Sequence, residues 1–210
     1  ENIKSIDAVE IDPVIIELGK KYHPQNPYAS KKVNIIQNDA RNFIRHTNKK
    51  YDLIIYGLLD SHTSLSGKGG IRLDSYVYTV NAFREAKKIL SDDGYISLSF
   101  SVSIESLGVK IFQMLEEVFD GQKPKVFFYS EKRDKFAEGL YTFIISKNKN
   151  KQFDYLDKNL SEVDYFNNSS IKVDNSTDDW PFFYMPKKIW PTSYLVIIFI
   201  IFISSYLFIN

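Results

Sequence analysis

The sequence predicts an α/β domain on a doubly wound, mostly parallel sheet, N-terminally incomplete and followed by a C-terminal transmembrane helix. Three observations lead there. Short β-branched runs alternate with amphipathic helical stretches in the order β-α-β-α-β-α-β-α-β-β. The run Tyr51–Leu58 is largely apolar, as a strand covered on both faces should be. The stretch Ile189–Ile209 carries no charge over 21 residues, and about 20 apolar residues match a bilayer core.

The elements follow in order. Ile3–Ile11 is a buried strand ending in Glu10-Ile11-Asp12-Pro13. Asp12 then caps a helix over Pro13–Tyr22, with proline in its first turn. His23–Lys32 holds two prolines and is a loop. Val33–Gln37 is the second strand, and Ala40–His46 a short helix. After the Tyr51–Leu58 strand comes a polar, glycine-rich loop, Asp60–Gly70. Asp74–Leu90 is a long amphipathic helix, and Ser91–Gly94 a turn. Tyr95–Ser101 is a strand and Ile104–Phe119 a helix. Val126–Tyr129 and Tyr141–Ser146 have no helix between them and should pair antiparallel at one edge. The domain spans residues 1–148, a polar linker and juxtamembrane segment 149–188, and the membrane helix 189–210.

Charge and composition narrow the function. Lys and Arg number 27 against 26 Asp and Glu, which leaves no global field for nucleic acid. The chain has no cysteine, which excludes a disulfide scaffold, a thiolate zinc site and a cysteine nucleophile. Lys187 and Lys188 precede the apolar run, and the positive-inside tendency puts the domain on the cytoplasmic side. Glu1 follows no Met or signal peptide, so a longer, polytopic protein is expected.

Ligands of an open α/β sheet bind beyond the carboxyl ends of its strands. Three acids sit there: Glu10 after the first strand, Asp39 after the second and Asp60 after the third. Glu10 can accept hydrogen bonds from both ribose hydroxyls of a nucleotide. Asp39 either accepts from an adenine amino group or caps the following helix. Asp60-Ser61-His62-Thr63 is either a site segment or an ordinary polar loop. Asp74, Tyr76 and Tyr78 either line a substrate pocket or pack their helix. No glycine-rich turn precedes Glu10, although a nucleotide-binding fold needs one after its first strand. That strand and turn are expected upstream of Glu1.

Three runs stand out, Ala8-Val9-Glu10-Ile11-Asp12-Pro13, Asn38-Asp39-Ala40-Arg41-Asn42-Phe43 and Tyr51-Asp52-Leu53-Ile54-Ile55. Leu59–Thr63, Arg72–Thr79 and Thr177–Phe182 add to them. Together they resemble the spermidine synthase family, and most closely its membrane-bound relatives. The resemblance implies a Rossmann-like, methyltransferase-type fold that binds S-adenosylmethionine or its decarboxylated form. Glu10 with Ile11 would hold the ribose, and Asp39 with the Ala40 backbone the adenine. An aminopropyl or methyl group would pass to a small amine, a polyamine. The family's Asp-Ser-Ser-Asp pattern falls on Gly57, Leu58, Leu59 and Asp60, so the first acid is glycine here. Asp60 would then bind the cationic substrate together with Asp74 and Tyr76, and His62 would take the amine proton. A homodimer is compatible with the resemblance.

Two other readings remain. A non-catalytic nucleotide- or partner-binding domain of a membrane protein would explain Gly57. A nicotinamide dehydrogenase shares an acid at a strand end, but the antiparallel final strands argue against it.

Overall fold

The computed structural model describes residues 3–59, 73–129, 135–151, 160–190 and 192–209. Strands β1 (Ile6–Glu10) and β2 (Val33–Gln37) pair in parallel, from Ile6 opposite Val33 to Glu10 opposite Gln37. Helix α1 (Pro13–Tyr22) joins them. It starts where Asp12 Oδ1 accepts the Val14 amide at 2.8 Å, with proline in the first turn. Helix α2 (Ala40–His46) is capped alike, by Asp39 Oδ1 accepting the Asn42 amide at 2.8 Å.

The expected helix over Asp74–Leu90 is shorter. A 3-10 turn covers Leu73–Tyr76, and α3 runs Val80–Ile89. The break falls at Thr79, whose hydroxyl accepts the Ala82 amide at 3.1 Å and begins a new helix. Strand β3 (Tyr51–Tyr56) pairs in parallel with β4 (Leu90–Val102). Tyr51 faces Leu90 but Leu53 faces Tyr95, so the expected turn Ser91–Gly94 survives as a bulge within β4.

Helix α4 (Glu105–Val118) leads to β5 (Lys125–Tyr129) and β6 (Gly139–Ser146). These two pair antiparallel as expected, but not as an edge hairpin. The sheet order is β3-β4-β6-β5-β7, with β6 between β4 and β5 and a strand β7 (Leu160–Glu162) outermost. Tyr141, Phe143 and Ile145 on β6 are almost fully buried on one face of the sheet, the face that α4 packs against. Strands β3, β4 and β5 run one way, and β6 and β7 the other.

Residues 149–188, expected as linker, contribute β7, the single-turn helix α5 (Tyr165–Asn168) and a strap over 174–188. Phe166 packs on Gly108 of α4, where a Cβ would stand 2.2 Å from its ring. The strap brings Phe183, fully buried, against Tyr78 and Phe100 at ring distances of 5.0 and 5.3 Å. It is fastened by Lys110 of α4. That side chain is fully buried, donates to the carbonyls of Phe182 and Met185, and lies 5.0 Å from the Trp180 ring centroid. Burial pulls the Lys110 ammonium down to about 8, against an opposing effect of Asp174.

Among the described residues, β1 pairs only with β2, and β3 only with β4, leaving one open edge on each. A cavity of about 160 Å³ lies between them, lined by Val9 of β1, Leu53 and Ile55 of β3, and Ala40 and Ile44 of α2. Asp7 bridges its far end. Its carboxylate, 3% exposed, accepts from Lys49, Tyr51 and Asn34 at 2.8, 2.7 and 2.9 Å. Burial alone would raise the Asp7 carboxyl, but these three donors hold it below its usual value.

The transmembrane helix expected over 189–210 is corrected to a shorter one. Helix α6 (Thr192–Ile209) has 18 residues and rises about 27 Å, against the ~30 Å of a bilayer core. Among the described residues, no helix is long and apolar enough to cross a membrane.

Two outcomes are expected. Lys110→Met should lower the unfolding free energy by about 2 kcal/mol at neutral pH, since two carbonyls lose a charged donor. The unfolded chain holds more protons at this site between about 8 and 10.5, so the wild type gains stability with pH across that window and the variant does not. Urea melts in mild detergent at several pH values would show the difference widening. A constant difference would refute the buried charge. Asp7→Asn should cost about 1–2 kcal/mol at pH 7. That cost should fade as the pH falls through the depressed Asp7 pKa, because the carboxylate advantage exists only above it. Equal melting temperatures at pH 7 would count against the bridge.

Candidate functional site

Glu10 ends β1 and Asp39 follows β2 by two residues. The parallel register therefore puts both acids at the same end of adjacent strands. The Asn38 amide donates to the Glu10 carbonyl at 3.1 Å and extends the pairing to that tip. Glu10 is half-buried, and its Oε1 accepts the Asp12 amide at 2.9 Å. Asp39 is half-buried and uses Oδ1 for its cap. A carboxylate offers about four acceptor positions. One bond each among the described residues leaves both groups able to accept from a ligand, so capping and binding are compatible roles for Asp39.

The neighbours Val9 and Ala40 line the cavity between β1 and β3, while the carboxylates of Glu10 and Asp39 are not part of its lining. Ile11 is exposed beyond the strand tip. Gly57 follows β3, and among the described residues a Cβ there would meet nothing within 4 Å. Tyr56, next to it, is buried against Phe83 with ring centroids 5.6 Å apart, and burial pushes its phenol well up.

Asp60 and His62 lie outside the described residues, as do Gly67, Gly69 and Gly70. Asp74 lies in the 3-10 turn, and its side chain is likewise outside them. Tyr76 is half-buried, and its carbonyl accepts from Arg41 Nη1 at 2.9 Å. Glu10, Asp39 and Ala40 thus come together, and Tyr76 is tied to the same helix through Arg41.

Sequence reasoning missed the part played by Arg41. This residue is 6% exposed. It meets Glu85 Oε2 through Nε at 2.6 Å and Asp178 Oδ2 through Nη2 at 2.8 Å. Arg45 reaches the same two carboxylates, each at 3.1 Å. Asp178, in the Asp-Asp pair before Trp180, therefore answers two arginines. Its partners lie 137 and 133 residues away, and no local pattern could have matched them.

The family model described as "Spermine/spermidine synthase domain" matches residues 1–156. A polyamine aminopropyltransferase of Prochlorococcus marinus (strain NATL1A) is 25% identical over 161 residues, covering 74% of this chain and 51% of that protein. One from Saccharolobus solfataricus is 30% identical over 128 residues, covering 57% of this chain and 39% of that protein. The chain thus spans about half, or less, of the length of these relatives. The crystal structure of spermidine synthase from Thermotoga maritima superposes with a TM-score of 0.51 at 17% identity, covering 72% of this chain and 48% of that one. A spermidine synthase structure in complex with the transition state analogue AdoDATO gives 0.53 at 17% identity, covering 74% and 55%. Those two likenesses bear on the α/β fold alone. With three quarters of its length matched by the family model, the chain belongs to the spermine/spermidine synthase family.

Proposed function

We propose that the chain carries the nucleotide half of an aminopropyl transferase, using decarboxylated S-adenosylmethionine and a small polyamine. The observation that carries this reading is the placement of Glu10 and Asp39 at the tips of adjacent parallel strands. The names of the curated relatives favour aminopropyl over methyl transfer. A methyl-transfer product with S-adenosylmethionine itself would reverse that choice.

Glu10 accepts the ribose hydroxyls beside Ile11, and Asp39 accepts the adenine amino group next to the Ala40 amide. When bound, the cofactor supplies a carbon activated by an adjacent sulfonium, together with its leaving group. The protein's task is to orient the amine and keep it unprotonated. Asp60, with Asp74 and Tyr76, lowers the cost of holding the cationic polyamine, and His62 takes the proton of the attacking nitrogen. The open edges of β1 and β3 suit one further parallel strand, which would bring the glycine turn to the cofactor.

On this reading α6 attaches the chain to a membrane without crossing it. It carries no charge, and its described side chains are all exposed, Phe202 at 75% and Phe208 at 92%. Lys187 and Lys188 favour a cytoplasmic domain. Gly57 supports the second reading, a domain that binds nucleotide without turnover.

Two measurements on the full-length protein test these roles. Glu10→Gln should weaken decarboxylated S-adenosylmethionine at least about tenfold in calorimetric titration. An unchanged affinity would remove Glu10 from the site. Gly57→Asp meets none of the described residues, so it should fold normally and raise radiolabelled aminopropyl transfer to putrescine by at least about tenfold. No transfer by either form would favour the non-catalytic reading.

A further inference from the structure

Helix α2 has seven residues and buries only Arg41 and Ile44. A helix this short is marginal by itself, so tertiary contacts decide where it stands. Arg41 supplies the directional ones. Nη1 donates to the Tyr76 carbonyl and the Thr79 hydroxyl at 2.9 and 3.0 Å, Nη2 donates to Asp178 Oδ2 at 2.8 Å, and Nε lies 2.6 Å from Glu85 Oε2 as an ion pair without hydrogen-bond alignment. A planar guanidinium held on three sides cannot slide without breaking a charge-assisted bond. Asp178 is itself fixed. Its Oδ1 accepts the Thr79 hydroxyl at 2.9 Å, and its amide donates to Asn81 Oδ1 at 3.1 Å. Ala40 is the residue before Arg41, and Asp39 the one before that.

We propose that Arg41 and Asp178 are positioning residues of the nucleotide site. Their ion pair, closed by the strap, sets where the first turn of α2 presents Asp39 and the Ala40 amide. The inference rests on the reading of that turn as the adenine contact. Asp178 reaches the nucleotide through α2 and does not touch it. Its loss leaves a buried guanidinium short of one counter-charge and frees the helix to shift. A displacement of about 1 Å in a positioning group can cost up to about a hundredfold.

The test compares Asp178→Ala and Asp178→Asn with Glu117→Ala in the full-length protein. Glu117 of α4 accepts from Asn175 Nδ2 at 2.8 Å, so its removal loosens the same strap away from α2. Affinity for decarboxylated S-adenosylmethionine is measured by calorimetry, and KM for putrescine by transfer. Both are taken at a temperature where circular dichroism shows every variant folded. Asp178→Ala should weaken the nucleotide about tenfold or more and change the putrescine KM by a smaller factor. Asp178→Asn should fall between, and Glu117→Ala should bind like the wild type. Should Asp178→Ala not fold, Asp178→Asn carries the comparison. Equal losses in the Asp178 and Glu117 variants, or none in either, overturn the inference. A wild type that binds, fails with Glu10→Gln and ignores Asp178 overturns this inference alone. A wild type that binds no nucleotide overturns the site reading and this inference with it.

Discussion

A guanidinium taken out of water must find its counter-charges inside the protein, and Arg41 finds them on two distant segments. Glu85 comes from α3 and Asp178 from the strap, and Arg45 shares both. The carboxylates keep 23% and 30% of their side-chain surface, so water still supports the anionic half of the network. Removing one partner of such a group is far more damaging than never having buried it. The network thereby makes α2, α3 and the strap a single unit, and the short α2 is the element that gains most.

The strap is closed at its own ends. The Asp174 amide donates to the Pro186 carbonyl at 2.8 Å, and Asp174 Oδ2 accepts the Lys188 amide at 2.6 Å. Between those points Phe183 fills the core beside Tyr78, while the buried Lys110 donates to two strap carbonyls. An apolar side chain in place of Lys110 could fill the space but not meet those oxygens. The segment leading to α6 is thus part of the domain's packing, and α6 leaves from a fixed point.

The acids at the strand tips are placed by backbone pairing. The β1–β2 register brings Glu10 and Asp39 to one end, and each caps or bridges a local amide while keeping acceptor capacity. The open edges of β1 and β3 and the cavity between them stand beside those tips. Asp7, Lys49 and Tyr51 hold the two sheets together by polar contacts at the opposite end of the strands. A joint of this kind depends on pH and salt in a way that an apolar joint would not.

Local patterns determined much of this protein. Asp12-Pro13 and Asn38-Asp39-Ala40 specify where α1 and α2 begin, since caps and proline act within a few residues. The β-branched runs specify β1 to β3, and the acids that end them could be named as site candidates from spacing alone. The break at Thr79 was harder to read, because a hydroxyl can continue a helix or start one. Only the tertiary structure put β6 between β4 and β5, made β7 an edge, and turned Asp178 into the partner of Arg41. Those outcomes depend on which buried faces and charges meet between segments far apart in the chain, 137 residues in the case of Arg41 and Asp178, and sequence periodicity holds no record of such meetings.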